Sequence, residues 1–270
     1  MSASDKVFSG SIPKLYDDGM VPLIFAGYAD ELAQKVASLS PAAVLETAAG
    51  TGVVTRALAP KLSAGARYVV TDLNQPMLDH AAQRQGPDRR ITWKQADALD
   101  LPFPDAQFDV VCCQFGAMFF PDRKKGYREA RRVLRAGGSF IFNVWDRIED
   151  NVFANDVSAA LADMFPRDPP RFMARTPHGY YDEKLIEGEL RTAGYSQVAI
   201  ERTSRQSSAP SALHVAIAYC QGTPLRNEIE ARRPGGLQAA TKHAAAALAK
   251  LHGESEVSAK IQALVIAAQA

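Results

Sequence analysis

A chain of 270 residues is long enough for one α/β domain with embellishments, or for a domain and a cap, and its 47% hydrophobic and 23% charged content is that of an ordinary globular protein. A formal charge of +1 gives no electrostatic footprint for nucleic acid. Three cysteines, with Cys112 and Cys113 adjacent, make neither a disulfide framework nor a zinc spacing; no run approaches membrane-spanning length, and Met1 to Lys6 lacks the apolar core of a signal peptide, so a reducing cytoplasm is the expected setting.

The chain opens with a leader over 11–37 that contains Ile12-Pro13-Lys14-Leu15-Tyr16 and Gly19-Met20-Val21-Pro22. The spacing of Ala29, Leu32, Ala33 and Val36 predicts a helix from about Pro22 to Ser38. Ala43-Val44-Leu45 then reads as a strand, Glu46-Thr47-Ala48-Ala49-Gly50-Thr51-Gly52 as a glycine-bearing turn, and Val53 to Ala59 as a helix. A second strand, Tyr68-Val69-Val70-Thr71, carries Asp72 at its tip. Glycines at 50 and 52 let the backbone turn sharply and leave room for a ligand against the main chain. Asp72 follows Gly52 by twenty residues, the offset at which a carboxylate meets a ribose diol in nucleotide-binding βαβ units. Glu46, at the end of the first strand, would repel a pyrophosphate on the helix N-terminus and suits a ligand that carries positive charge.

Pro76 is placed for the first turn of a helix that runs to about Gln85, where Gly86-Pro87 stops it. Leu73 and Met77 would flank whatever Asp72 binds. Ile91 to Gln95 is a third strand, followed by Ala96-Asp97-Ala98-Leu99, and Val110 to Gln114 is a fourth, with Asp109 preceding it in a structural role. Seven basic side chains lie between Arg123 and Arg135, but Tyr127, Ala130, Val133 and Leu134 share one helix face, which leaves the charges on a solvated one. Ala136-Gly137-Gly138 would end that helix, and Ser139 to Trp145 is the fifth strand. A helix over 151–165, a proline-rich loop with Phe172, Met173, His178, Tyr180 and Tyr181, and a helix from Asp182 to Ala193 come next. Tyr195 to Arg202 reads as the sixth strand and Ser204 to Pro210 as a polar break. A helical excursion over 211–252 precedes the last strand, Ile261 to Ala267.

Three stretches carry a family resemblance. Glu46-x-Ala48-x-Gly50-x-Gly52 resembles the first motif of class I S-adenosylmethionine-dependent methyltransferases, with alanine at the first glycine position, where it still permits close approach if its φ is negative. Leu101-Pro102-Phe103-Pro104-Asp105-Ala106-Gln107-Phe108-Asp109-Val110-Val111 and the run from Arg132 to Trp145 are similar to the broad group that contains the ubiquinone- and menaquinone-pathway methyltransferases. The resemblance implies an α/β, Rossmann-like seven-stranded sheet in the order 3-2-1-4-5-7-6 with the last strand antiparallel. It implies a single domain with an N-terminal helical lid (1–38), a cofactor-binding core (40–146) and cap or insertion elements (147–181 and 204–258).

It also implies the cofactor, S-adenosyl-L-methionine, with S-adenosyl-L-homocysteine as product. Glu46 would meet the methionine amine, the loop Ala48, Gly50, Thr51, Gly52 would cradle the ligand, Asp72 would bind the ribose, and Asp97 with Ala98 the adenine. Tyr16 would close over the cofactor, and Gln114 and Phe115 would contact its methionine part. Phe119, Trp145, Phe172, His178 and Tyr180 would shape a pocket for a small or medium-sized organic acceptor, with His178 as the candidate base and no metal ligands. Alignment of the acceptor can supply roughly 7–11 kcal/mol of barrier reduction, against roughly 3–5 kcal/mol for a general base, so a missing base does not count against methyl transfer. An NAD(P)-dependent oxidoreductase and a non-catalytic S-adenosylmethionine-binding protein are the alternatives. Neither the acceptor nor the oligomeric state is legible.

Overall fold

The computed structural model describes residues 16–270. Met1–Lys6 and Ile12-Pro13-Lys14-Leu15, the beginning of the expected lid, lie outside the described residues. Seven strands form one sheet: β1 Ala43–Glu46, β2 Arg67–Asp72, β3 Ile91–Gln95, β4 Phe108–Gln114, β5 Leu134–Trp145, β6 Gln197–Ser211 and β7 Ser255–Gln269. Their order is β3-β2-β1-β4-β5-β7-β6, as the resemblance implied, with the last strand antiparallel. β1 pairs in parallel with β2 and β4, β2 with β3, and β4 with β5. Parallel strands covered on both faces are apolar without alternation, and β1 and the last five residues of β2 are buried throughout.

The chain divides into two compact units. One holds Ala26–Val144, Tyr180–Arg202 and Leu264–Ala270. Its core joins Leu32 and Val36 of helix Ala26–Ser38 with Val44, Leu58, Tyr68, Val70, Leu78, Val110 and Cys112. The other holds Tyr16–Phe25, Trp145–Gly179 and Thr203–Ala263. In it, helices Val152–Met164, Ala212–Gln221 and Leu237–His252 pack on one another and bury Val157, Leu161, Val215, Tyr219, Ala244 and Leu248.

Four element boundaries differ from expectation. Tyr16–Phe25 already winds, as a wide π-type coil with Pro22 inside it, before the α-helix begins at Ala26. Proline has no N–H to donate and its ring clashes with the preceding turn, so a regular α-helix cannot run through that point. The basic helix ends at Val133 and passes straight into β5, so Ala136-Gly137-Gly138 lies in a strand. There Phe108 pairs with Leu134 and Val110 with Ser139, a bulge in which Asp109 alone faces the intervening residues. β6 runs on through Ser204–Pro210, and it stands at the edge of the sheet, where a proline costs no ladder hydrogen bond. β7 begins at Ser255, ahead of the apolar run that marks it in sequence.

Candidate cofactor and active site

Ligands of open α/β sheets bind beyond the carboxyl ends of the strands, and the loops leaving β1, β2 and β4 form such an edge within the first unit described. The loop after β1 turns by alternating into the left-handed region, with φ of 52° at Ala48, 58° at Gly50 and 77° at Gly52. Ala48 therefore adopts a positive φ, against expectation, although a Cβ there costs roughly 1–3 kcal/mol. Gly52 could not be replaced so easily: an added Cβ would lie 2.9 Å from the Cβ of Ala81 in helix Gln75–Gln85. The Thr51 hydroxyl in the same loop is buried and has no hydrogen-bond partner.

Asp72 closes β2, 7% exposed. Its Oδ2 accepts the Gly50 N–H at 2.8 Å, and its Oδ1 accepts the Asn74 N–H at 2.8 Å. Burial pushes its pKa above the usual carboxylate value, opposed by those N–H groups. Met77 is buried with its Cε 3.7 Å from where a Cβ of Gly50 would stand, while Leu73 is 45% exposed. Asp97 is exposed; its Oδ1 accepts the Leu99 N–H at 2.9 Å and so holds the turn that presents Ala98.

Glu46 is held from within the fold. It is 1% exposed, and its Oε2 accepts hydrogen bonds from Thr55 Oγ1 at 2.7 Å and from the Tyr68 hydroxyl. Burial raises its pKa to about 7, against the two hydroxyls and the charge of Arg56. The carboxyl thus has one oxygen already bound within the fold. A position at a strand's end did not reveal this; the inward-facing partners Thr55 and Tyr68 decide it.

After β4 the backbone turns again at Phe115, φ 49°, with its ring edge-on to buried Tyr28 at 5.5 Å between centroids. Gly116 follows, and a Cβ there would stand 2.5 Å from the Cβ of Ala48 and 2.7 Å from Sγ of Cys113. The β4 loop therefore rests directly on the β1 loop. Phe115 is held by Asn143, whose Oδ1 accepts its N–H at 3.0 Å, a residue that motif reading passed over. The signal was an amide inside the apolar run Phe140 to Trp145. Asp109, by contrast, is structural as expected: its Oδ2 accepts the N–H groups of Ala42 and Ala43, and Arg135 pairs with its Oδ1.

The residues expected around an acceptor do not share one unit. Phe119 lies in a short turn, Ala117–Phe119, after β4. Tyr180 belongs to the packing of helix Arg123–Val133 against Glu183–Thr192: its hydroxyl donates to Glu189 at 2.6 Å, and the Arg123 guanidinium lies over its ring at 4.1 Å. That hydroxyl and one face of the ring are thus engaged within the fold. Tyr16, Trp145, Phe172 and His178 lie in the other unit, with Tyr16 stacked on Phe25 at 5.1 Å and Phe172 buried.

His178 is part of a buried polar junction there. A carbonyl can only accept, so the 2.8 Å contact of Nδ1 with the Asp146 carbonyl places the proton on Nδ1. Burial pushes the imidazole pKa down to about 4. Asp146 Oδ2 accepts from Gln262 Nε2 at 2.7 Å, Asn151 Oδ1 accepts the Gln262 N–H at 3.0 Å, and Ser204 donates to Gln262 Oε1 at 2.7 Å. A base this weak is far from matched to proton removal near neutrality, and a structural role accounts for its contacts.

Three charges of the basic helix are engaged within the fold: Arg123 pairs with Glu189, Arg132 with Glu129 and Asp105, and Arg131 donates to the Gly194 carbonyl. Among the described residues no group of three or more His, Cys, Asp or Glu could hold a metal ion, and no helix is long and apolar enough to cross a membrane.

A family model described as a methyltransferase domain matches residues 45–142. The demethylmenaquinone methyltransferase of Clavibacter sepedonicus is 29% identical over 172 residues, a match covering 60% of this chain and 69% of the relative. The ubiquinone/menaquinone biosynthesis C-methyltransferase of Paraburkholderia phymatum is 30% identical over 190 residues, covering 65% of this chain and 75% of that one. Among solved structures, a Bacillus halodurans protein assigned as a methyltransferase superposes with a TM-score of 0.58 at 19% identity, over 90% of this chain and 98% of that chain, a likeness of fold.

Proposed function

Because the chain belongs to the class I S-adenosylmethionine-dependent methyltransferases, in the broad group that includes the ubiquinone- and menaquinone-pathway enzymes, we propose that the Asp72 carboxylate and the loop Ala48–Gly52 hold its cofactor. The enzyme transfers a methyl group from S-adenosyl-L-methionine to a small organic acceptor. Bound, the cofactor supplies a methyl carbon on sulfonium sulfur, open to in-line displacement. The chain's own residues fit that group. Asp72 is a buried acid anchored by two backbone N–H groups and retaining acceptor capacity, which suits a vicinal diol. The Thr51 hydroxyl, buried without a partner, offers a further polar contact.

Asp97 and Ala98 would receive the adenine, Leu73 and Met77 would flank the ribose, and Gln114 and Phe115 would face the methionine part. Glu46 would meet the methionine amine, directly or through water, with a carboxyl whose Oε2 is already held by Thr55 and Tyr68 and whose ionised form a neighbouring ammonium group would favour. The dinucleotide alternative is not favoured, since the relatives and the matching family model are methyltransferases. No general base is assigned, since alignment supplies the larger share of the rate. The relatives' names make quinone precursors the first acceptors to assay.

The observation that carries this reading is Asp72, pinned by Gly50 across the turn. Calorimetry with S-adenosyl-L-homocysteine tests it. The intact protein should bind, and Asp72→Ala should weaken binding by about 100-fold or more, since hydrogen bonds to a charged acceptor are worth roughly 1.5–3 kcal/mol each. No binding by the intact protein, or equal binding by the variant, would overturn it.

A further inference from the structure

Asn143 stands in β5 opposite Gln114 of β4, 1% exposed. The Phe115 N–H is shared between its side-chain Oδ1 at 3.0 Å and its own backbone carbonyl at 3.1 Å. A backbone N–H only donates, so the amide orientation is fixed: Oδ1 faces Phe115 and Nδ2 points away. Nδ2 is buried and has no hydrogen-bond partner. Natural proteins rarely leave a buried donor unpaired. An apolar side chain of similar size would remove that donor, and the Phe115 N–H would keep the backbone carbonyl. Stability alone therefore gives no account of an asparagine here.

What Oδ1 adds is direction. Phe115 is a bulky residue at φ 49°, a conformation that persists only where its surroundings impose it. The next residue, Gly116, touches Ala48, which is itself at φ 52°. Asn143 is thus linked to the β1 loop through two backbone positions, all within one unit. We propose that Asn143 is a positioning residue of the cofactor site, holding the Phe115 turn so that Gly116 seats the loop Ala48–Gly52 in its binding shape. This rests on the assignment of that loop to the cofactor.

The test compares Asn143→Leu with the wild-type full chain, reading S-adenosyl-L-homocysteine affinity by calorimetry and the melting temperature without ligand. The melting temperature should hold or rise while affinity falls about tenfold or more, the size of effect that small misplacement of a site produces. A purely structural residue would give the reverse pattern. Glycine adopts a positive φ without help, so in a Phe115→Gly background the same Asn143→Leu change should alter affinity by less than about threefold. Equal affinity of Asn143→Leu and wild type, or an equal loss in both backgrounds, would overturn the proposal. Should Asn143→Leu not fold, Asn143→Asp, which keeps an oxygen toward Phe115, should bind and Asn143→Ser, which falls short, should not; equal binding by the two would overturn it. A wild-type protein that does not bind S-adenosyl-L-homocysteine would instead reject the cofactor assignment itself.

Discussion

The loop after β1 and the junction around Asp146 are both buried and polar, yet they treat their hydrogen-bonding groups in opposite ways. Around the loop, Thr51 Oγ1 and Asn143 Nδ2 are buried without partners, and Ala48 and Phe115 occupy left-handed backbone. Around Asp146, the side chains of Asn151, Gln262, Ser204 and His178 close on one another and on nearby carbonyls. Unused donors and strained φ angles belong where a ligand completes the structure; mutual satisfaction belongs where the fold must hold itself.

The largest expected separation between the two regions is Asp72→Ala, which should abolish most S-adenosyl-L-homocysteine affinity while costing about 2 kcal/mol of unfolding free energy or less, because the acceptor lost to Gly50 and Asn74 is partly offset by removal of a buried acid whose pKa the fold raises. Comparable loss of stability would show that the carboxylate serves the fold instead.

Acid–base behaviour sharpens the contrast. The Glu46 pKa rises from 4.5 to about 7 on folding, so the folded state holds that proton more tightly. Its stabilising contribution is fully present below pH 4.5 and is lost as pH rises through 7. The His178 pKa falls from 6.5 to about 4, so its contribution is present above pH 6.5 and is lost as pH falls through 4. Each amounts to roughly 3 kcal/mol at full extent, and between about pH 4.5 and 6.5 the two slopes oppose each other. Denaturant titrations across that window should find stability rising with pH in Glu46→Gln and falling in His178→Phe, with the wild type flatter than either. Parallel slopes in the two variants would refute the assignment.

Asn151→Ala should cost roughly 2–3 kcal/mol, since it strips partners from buried groups of Gln262 and Asp146, and should leave cofactor affinity unchanged. The smallest effect is expected at Leu73→Ala: a half-exposed side chain contributes under about 1 kcal/mol, read as a few-fold weaker binding with an unaltered melt.

Much of the core was legible because it follows from chain-local rules. Apolar runs ending in Glu46, Asp72 and Gln114 mark strands, and the glycine turn between them marks a ligand edge; sheet order followed from the resemblance those runs carry. What escaped depends on partners distant in sequence. Glu46 turns inward because Thr55 and Tyr68 receive it, and Asn143 acquires meaning only opposite Phe115. Ser204–Pro210 looked like a break because its polar side chains carry no apolar face, whereas an edge strand needs little of one. Tyr180 attracted attention as an aromatic in a proline-rich loop, but its partners, Glu189 and Arg123, lie on two helices.

The cysteines give the floor of the site a clock. Cys112 and Cys113 are buried near the end of β4, and Cys220 is buried in helix Ala212–Gln221. Burial pushes the Cys113 thiol up to about 11 and holds Cys112 higher than its ordinary value, so neither offers appreciable thiolate to a reagent in the folded state. Alkylation of that pair must therefore wait for β4 to come away from its neighbours, and the labelling rate counts those openings. Sγ of Cys113 packs under Gly116, so a ligand that quiets the loops above should slow the modification of a residue it never touches.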